Sequence, residues 1–210
     1  MHGIDTIFYI LVLVMSVVVH EVSHGVAADR LGDPTARFAG RLSLNPLIHL
    51  DWVGSVFLPI LLVISGAGFI IGWAKPVPYN ERNLTNKRWG SAIVAGAGIF
   101  SNICLAVIFG LSIRLAPYFG DAAPAFIKIA SAISEVNLLL ALFNLIPIPP
   151  LDGSKVLFAF IPRAAAKIER TIEYLSLPLL ILFIFFLWPS YISPFVNYAF
   201  TLISGIPAPF

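Results

Sequence analysis

His20, Glu21 and His24 put two imidazoles and a carboxylate inside the five residues His-Glu-Val-Ser-His. On a helix, positions i and i+4 share a face, so His20 and His24 can offer two nitrogens to one metal ion while Glu21, one residue on, reaches a water held there. Zinc in catalytic sites takes three protein ligands and keeps a position for water, whose pKa it lowers from about 15.7 to about 7. The spacing thus supplies two ligands and a base, and a third ligand is owed by another part of the chain. The alternatives are a buried polar cluster or a structural metal site. The setting weighs against them: the motif ends the uncharged run Ile7–Val19, and an ionisable group at bilayer depth costs about 2.5 kcal/mol or more and marks function by default.

The elements that must carry this motif are membrane helices. Of 210 residues, 59% are hydrophobic and 11% charged, with a mean hydropathy of +0.92, against about 25% charged in soluble domains. Uncharged runs cover Val53–Ala74, Gly90–Ile113, Val136–Leu151 and Leu175–Phe210, several reaching the ~20 residues that cross about 30 Å of hydrocarbon. The expectation is one all-α polytopic domain over 1–210 in the cell membrane, with a catalytic core at about 7–160 and C-terminal transmembrane segments at about 172–206. Cys104 lies within an apolar run and is a packing residue. No basic region precedes the first apolar stretch, so no cleaved signal peptide is expected. The few excess basic residues lie in loops, where they bear on orientation and imply no nucleic-acid partner.

Charge distribution orders the spans. Lys and Arg number three in 29–51, four in 75–88, two in 114–128 and four in 152–173. If Val53–Ala74 dips into the bilayer and returns, eleven basic residues share one side against two on the other, and the positive-inside rule makes the richer side cytoplasmic. Pro59, Gly66, Gly68 and Gly72 interrupt that run and suit a re-entrant or bent segment. The motif and Asp152 then meet toward the cytoplasmic side. After Glu173 come 37 uncharged residues, about 55 Å of helix and too long for one crossing. Trp188-Pro189-Ser190-Tyr191 reads as an interfacial turn, with a span before it and a second span or an interfacial helix after it.

Asn144-Leu-Ile-Pro147-Ile-Pro149-Pro150-Leu-Asp152-Gly153 sets three prolines at the end of an apolar helix, just before an acidic residue. Proline ends helices, and irregular backbone at membrane depth is tolerated only where protein covers it or a watery cavity lies beside it. Asp152 is therefore a carboxylate at a cavity wall and a suitable oxygen ligand, although Asp-Gly after prolines is equally a simple turn. Asn144 alone reads as a helix-packing amide.

Together, His-Glu-x-x-His in a transmembrane helix, Ala97-Gly98-Ile99-Phe100-Ser101-Asn102, and Asn-x-x-Pro-x-x-x-x-Asp-Gly at 144–153 resemble the site-2 protease family of intramembrane zinc metalloproteases. The segments at 40–46 and 72–78 resemble its compact prokaryotic branch, which lacks a PDZ or CBS domain. The resemblance implies a three-helix core whose middle helix is antiparallel to the other two, with one zinc per chain held by His20, His24 and Asp152. It makes Glu21 the general base and Asn144 a candidate to position substrate or hold the oxyanion. Ile99 departs from the family, which usually has proline there; this bears on a local kink and leaves the ligands intact.

Lys75-Pro76-Val77-Pro78-Tyr79 reads as a short strand: both prolines strip donors from one edge, leaving the N–H groups of Lys75, Val77 and Tyr79 on the other. A protease must bind a transmembrane helix unwound, and such an edge could hold it by strand addition; a proline-rich interfacial loop is the plainer alternative. His49 reads as a loop residue, Asp51 as a helix cap, Glu135 as facing water or a polar neighbour, and His2 as solvated. The expected partners are the lipid bilayer and a membrane protein substrate with a transmembrane helix. The competing class is a non-hydrolytic metal-binding membrane protein, a transporter or a regulatory pseudoprotease. It is disfavoured because the polar residues gather at one depth and Glu21 is present.

Overall fold

The computed structural model describes residues 3–57, 60–61, 64–65, 74–86, 89–161 and 166–208. Its long helices are α1 (Gly3–Arg30), α3 (Gly90–Ser112) and α4 (Ala123–Leu145), with the single turn α2 (Thr35–Phe38) between the first two. After them come α5 (Asp152–Phe160), α6 (Ala166–Tyr174), α7 (Ser176–Leu182) and α8 (Ser193–Ser204). Among the described residues, three helical stretches are long and apolar enough to cross a membrane: Ile7–Arg30, Gly90–Leu145 and Ser176–Ser204. The second has 56 residues, about 84 Å if straight, and it turns back on itself. A ten-residue 3-10 stretch, Ile113–Ala122, joins α3 to α4, and Gly120 breaks it at φ 53°, a conformation glycine adopts without the steric cost of a Cβ.

α3 packs against α1, α4 and α5 and is the centre of the molecule. Its direction follows from its contacts: Asn102 meets His20 and Val94 meets His24, so α3 descends as α1 ascends. Asn137 of α4 donates to Ser16 Oγ of α1 at 2.9 Å, and the chain beyond α4 brings Asp152 to His20, so α4 runs with α1. The middle helix α3 is thus antiparallel to both α1 and α4, as expected. Small residues make the close approach possible, Ala95, Ala106, Ala132 and Ala141 all being buried, as helix packing in lipid favours. Ile99 keeps α3 continuous where proline would kink it.

Several expectations change. Among the described residues there is no strand; residues 75–79 carry no regular secondary structure and pair with no neighbouring strand. Most of Val53–Ala74 lies outside the described residues, so its re-entrant course is not traced. Trp188–Tyr191 is not a turn: Phe183–Ile192 is a π-helical stretch that joins α7 to α8 in one run, its widened turns accommodating Pro189, which has no N–H to give. Glu135, expected to face water or a polar neighbour, is buried, with neither carboxyl oxygen hydrogen-bonded among the described residues. Asp51 caps as expected, accepting from Gly54 N at 2.7 Å.

Asp33, just past α1, ties the chain at Asn80 and Asn83 to the end of that helix. Its carboxylate accepts from Thr35 Oγ1 at 2.5 Å, Thr35 N at 3.3 Å, Asn80 N at 2.5 Å and Asn83 Nδ2 at 2.8 Å. Burial pushes its pKa up, but these bonds outweigh that and hold it below the usual carboxylate range. A lowered folded pKa contributes stability that is present above the unfolded value, about 4, and is lost as pH falls through the folded value. Asp33→Ala is expected to cost about 1–3 kcal/mol at neutral pH. In thermal unfolding of the detergent-solubilised protein, the gap between wild type and variant should close below about pH 4; a gap independent of pH would refute the role of the charge.

Candidate metal centre

α1 places His20 and His24 one turn apart on the face that meets α3, 6% and 8% exposed. The third group comes from 132 residues away. At the end of α4 the proline-rich stretch folds back and opens α5 with Asp152, 6% exposed. The return is tight enough to require glycine next door: a Cβ at Gly153 would come within 2.5 Å of the Ile146 carbonyl oxygen. Asp152 Oδ2 then stands 3.0 Å from His20 Nε2 and 3.1 Å from His24 Nε2, and the two Nε2 atoms stand 3.0 Å apart. Its other oxygen, Oδ1, lies 3.7 Å from Lys155 Nζ, which also sits 5.4 Å over the Tyr79 ring.

The donor set fits zinc. His24 Nδ1 donates to Val94 O at 2.7 Å, which leaves Nε2 as a lone pair pointing at a carboxylate oxygen and a second imidazole nitrogen. Acceptors crowded at 3.0–3.1 Å repel one another unless a cation lies among them. At zinc–ligand distances of about 2.0–2.2 Å, tetrahedral ligand atoms lie roughly 3.3–3.5 Å apart, so small adjustments suffice. Two imidazoles and one carboxylate also leave a coordination position open. Among the described residues this is the one such group of three. α3 lines it with Gly98, where a Cβ would come within 2.7 Å of His20 Cε1.

Glu21 lies on the adjoining face of α1, and its Oε2 accepts the Val77 N–H at 2.9 Å. Segment 75–79 therefore covers the carboxylate. Arg41 holds it there, donating to Lys75 O at 2.8 Å, Pro76 O at 3.3 Å and, closely, Ile48 O. Lys75 N donates to His49 O at 2.8 Å, and Gly25 makes room beneath, since a Cβ there would come within 2.8 Å of Val77 Cγ1. Two of the three donors expected to be free, at Lys75 and Val77, are thus engaged within the chain. Asn144 Nδ2 donates to Leu140 O at 3.0 Å, one turn back along α4, and among the described residues no hydrogen bond joins it to the cluster. Asn102 and Arg41 were missed as site residues. The four-residue step from Gly98 to Asn102 in an apolar helix was the available signal for the first, and an arginine that binds backbone carbonyls leaves none.

A family model described as peptidase family M50 matches residues 8–135 and 115–187. The chain belongs to peptidase family M50. It is 35% identical over 193 residues to the protein named "Putative zinc metalloprotease YwhC" of Bacillus subtilis (strain 168), covering 87% of this chain and 84% of that one. It is also 34% identical over 140 residues to Rip2 of Mycolicibacterium smegmatis, likewise so named, over 66% of this chain and 51% of the relative. Rip3 of Mycobacterium tuberculosis, with the same naming, is 43% identical over 72 residues, a third of this chain and 18% of its own length. No solved structure matches.

If the three convergent atoms are the ligands of this M50 peptidase, it should hold one zinc per chain, and His24→Ala and Asp152→Ala should each lose most of it. Metal content of the purified proteins by mass spectrometry checks this; wild-type zinc in both variants would refute the ligand set.

Proposed function

We propose that the protein is an intramembrane zinc metalloprotease that hydrolyses a peptide bond in or near a transmembrane segment of another membrane protein. The observation that carries this is the convergence of His20, His24 and Asp152 at one buried point, with Glu21 on the next helical position and α1 apolar enough to cross a membrane. Zinc bound there supplies Lewis acidity and an acidified water. Glu21 would accept a proton from the attacking water at Oε2 and later deliver it to the leaving amide nitrogen. Asp152 and the two imidazoles hold the charge, and Lys155 balances the carboxylate from the side away from the histidines. Asn144 could hold an oxyanion only after leaving the Leu140 carbonyl.

Capture of substrate and release of the base are read as one event. The Val77 N–H is spent on Glu21; an unwound substrate pairing with residues 75–79 would offer its own carbonyl to that N–H and leave Glu21 free to accept a proton. Lys75 and Tyr79 flank the same edge. Glu21→Gln should keep zinc and lose roughly 100-fold or more of the cleavage rate. In the same assay, with a single-span substrate co-reconstituted in vesicles, Val77→Pro should lower kcat/KM severalfold, since one hydrogen bond is worth roughly 0.5–1.5 kcal/mol. Val77→Ala keeps the donor and should cleave as wild type. Faster cleavage by Val77→Pro would make the segment a mere cover, and Glu21-independent cleavage would refute the mechanism.

Eleven basic residues against two support placing the 29–51, 75–88 and 152–173 segments in the cytoplasm, with the site toward that side. Single cysteines at the exposed positions Arg37, Arg82 and Arg170, in a Cys104→Ser background, should then be shielded from an impermeant maleimide added outside intact cells. A cysteine at Asp121 should be labelled. Opposite results at positions 37 and 82 would mean that the residues between them span the membrane.

A further inference from the structure

α3 presents Val94, Gly98 and Asn102 to the histidines at four-residue steps, so all three lie along one face. Val94 serves His24, its carbonyl taking the Nδ1 proton and leaving Nε2 free. Asn102 occupies the matching place for His20. It is fully buried, its Nδ2 stands 3.2 Å from His20 Nδ1, and its Oδ1 has no hydrogen-bond partner. With Nδ2 facing Nδ1, the imidazole must accept there, and its proton sits on Nε2, where it blocks the lone pair that a metal needs. Half a turn of the amide exchanges the two atoms. Oδ1 then gains a donor, the proton moves to Nδ1, and Nε2 points bare at the cluster.

We infer that Asn102 is the positioning residue for His20, its side-chain carbonyl accepting the Nδ1–H and so fixing the tautomer that can bind zinc through Nε2. The two histidines are served differently. The acceptor for His24 is a helix carbonyl that cannot turn, whereas the one for His20 is an amide that offers either an oxygen or an NH2 group. Metal affinity at this centre is therefore set partly from α3, which contributes no ligand. The inference rests on His20 being a ligand, and the test separates the two claims.

The experiment measures zinc affinity of the full chain in detergent, by competition with a chromophoric chelator, for wild type, His20→Ala, Asn102→Ala, Asn102→Leu and Asn102→Asp. Ala and Leu remove the acceptor, and Leu keeps the interface filled. Asp restores an acceptor in the same shape. Ala and Leu should bind zinc about 10- to 100-fold more weakly, and Asp should stay within a few-fold of wild type. Wild-type affinity in Ala or Leu, alongside lost affinity in His20→Ala, overturns the role of Asn102 and leaves the ligand set standing. Equal losses in Ala, Leu and Asp overturn it in favour of packing. Wild-type affinity in His20→Ala overturns the ligand assignment and this inference with it.

Discussion

Three hydrogen-bond acceptors pointed at one another inside an apolar bundle are the constraint that organises this molecule. His20, His24 and Asp152 each lose hydration when buried, and that loss must be offset by hydrogen bonds or by a metal. The helices are arranged to supply the hydrogen bonds. α3 runs against α1 so that a backbone carbonyl and an amide face the two ring nitrogens turned away from the cluster. α4 runs with α1, so its broken end delivers the carboxylate at the same level. Gly98 occupies the point where α3 comes closest to the two histidines, and Gly153 the point where the start of α5 comes closest to the carbonyls of Leu145 and Ile146.

What could be read from the sequence follows from how local each interaction is. The His-Glu-x-x-His spacing is fixed by helix geometry alone, so both imidazoles and the carboxylate beside them were legible from five residues. The apolar runs gave the membrane class and, through loop charges, an order of spans. Asp152 was legible in part: the prolines showed that a carboxylate followed a broken helix, but only the resemblance joined it to residues 132 positions away. Backbone groups were not legible. The Val77 N–H on Glu21 and the carbonyls that bind Arg41 are anonymous in a sequence. Counting donors on the edge of residues 75–79 identified which N–H groups survive the prolines but not where they are spent. Glu135 failed for a related reason, because its surroundings are set by the packing of α4 and not by its position along it.

Segment 75–79 meets two demands that ordinarily conflict. A general base near a metal must reach water, yet a carboxylate at membrane depth must not be left unpaired. One N–H between two prolines resolves this: Pro76 and Pro78 can offer no rival donor, so Val77 alone serves Glu21. Arg41 and His49 hold the flanking carbonyl and N–H groups.

The place of the motif along α1 also sets a length scale. His24 lies six residues before Arg30, the last residue of the 24-residue apolar stretch that begins at Ile7, which is about 9 Å along the helix axis. His20 lies about 15 Å from that end and about 20 Å from the other. The reactive point is thus measured off from one face of the bilayer by a rigid rod whose own length matches the hydrocarbon. A transmembrane substrate of the kind proposed, anchored in the same bilayer by its flanking polar residues, would present for attack a bond set by its distance from that face. Lengthening or shortening a target on the far side would leave the cut where it is, whereas adding residues between the near-side anchor and the bond would move it. The centre is a depth gauge as much as a catalyst.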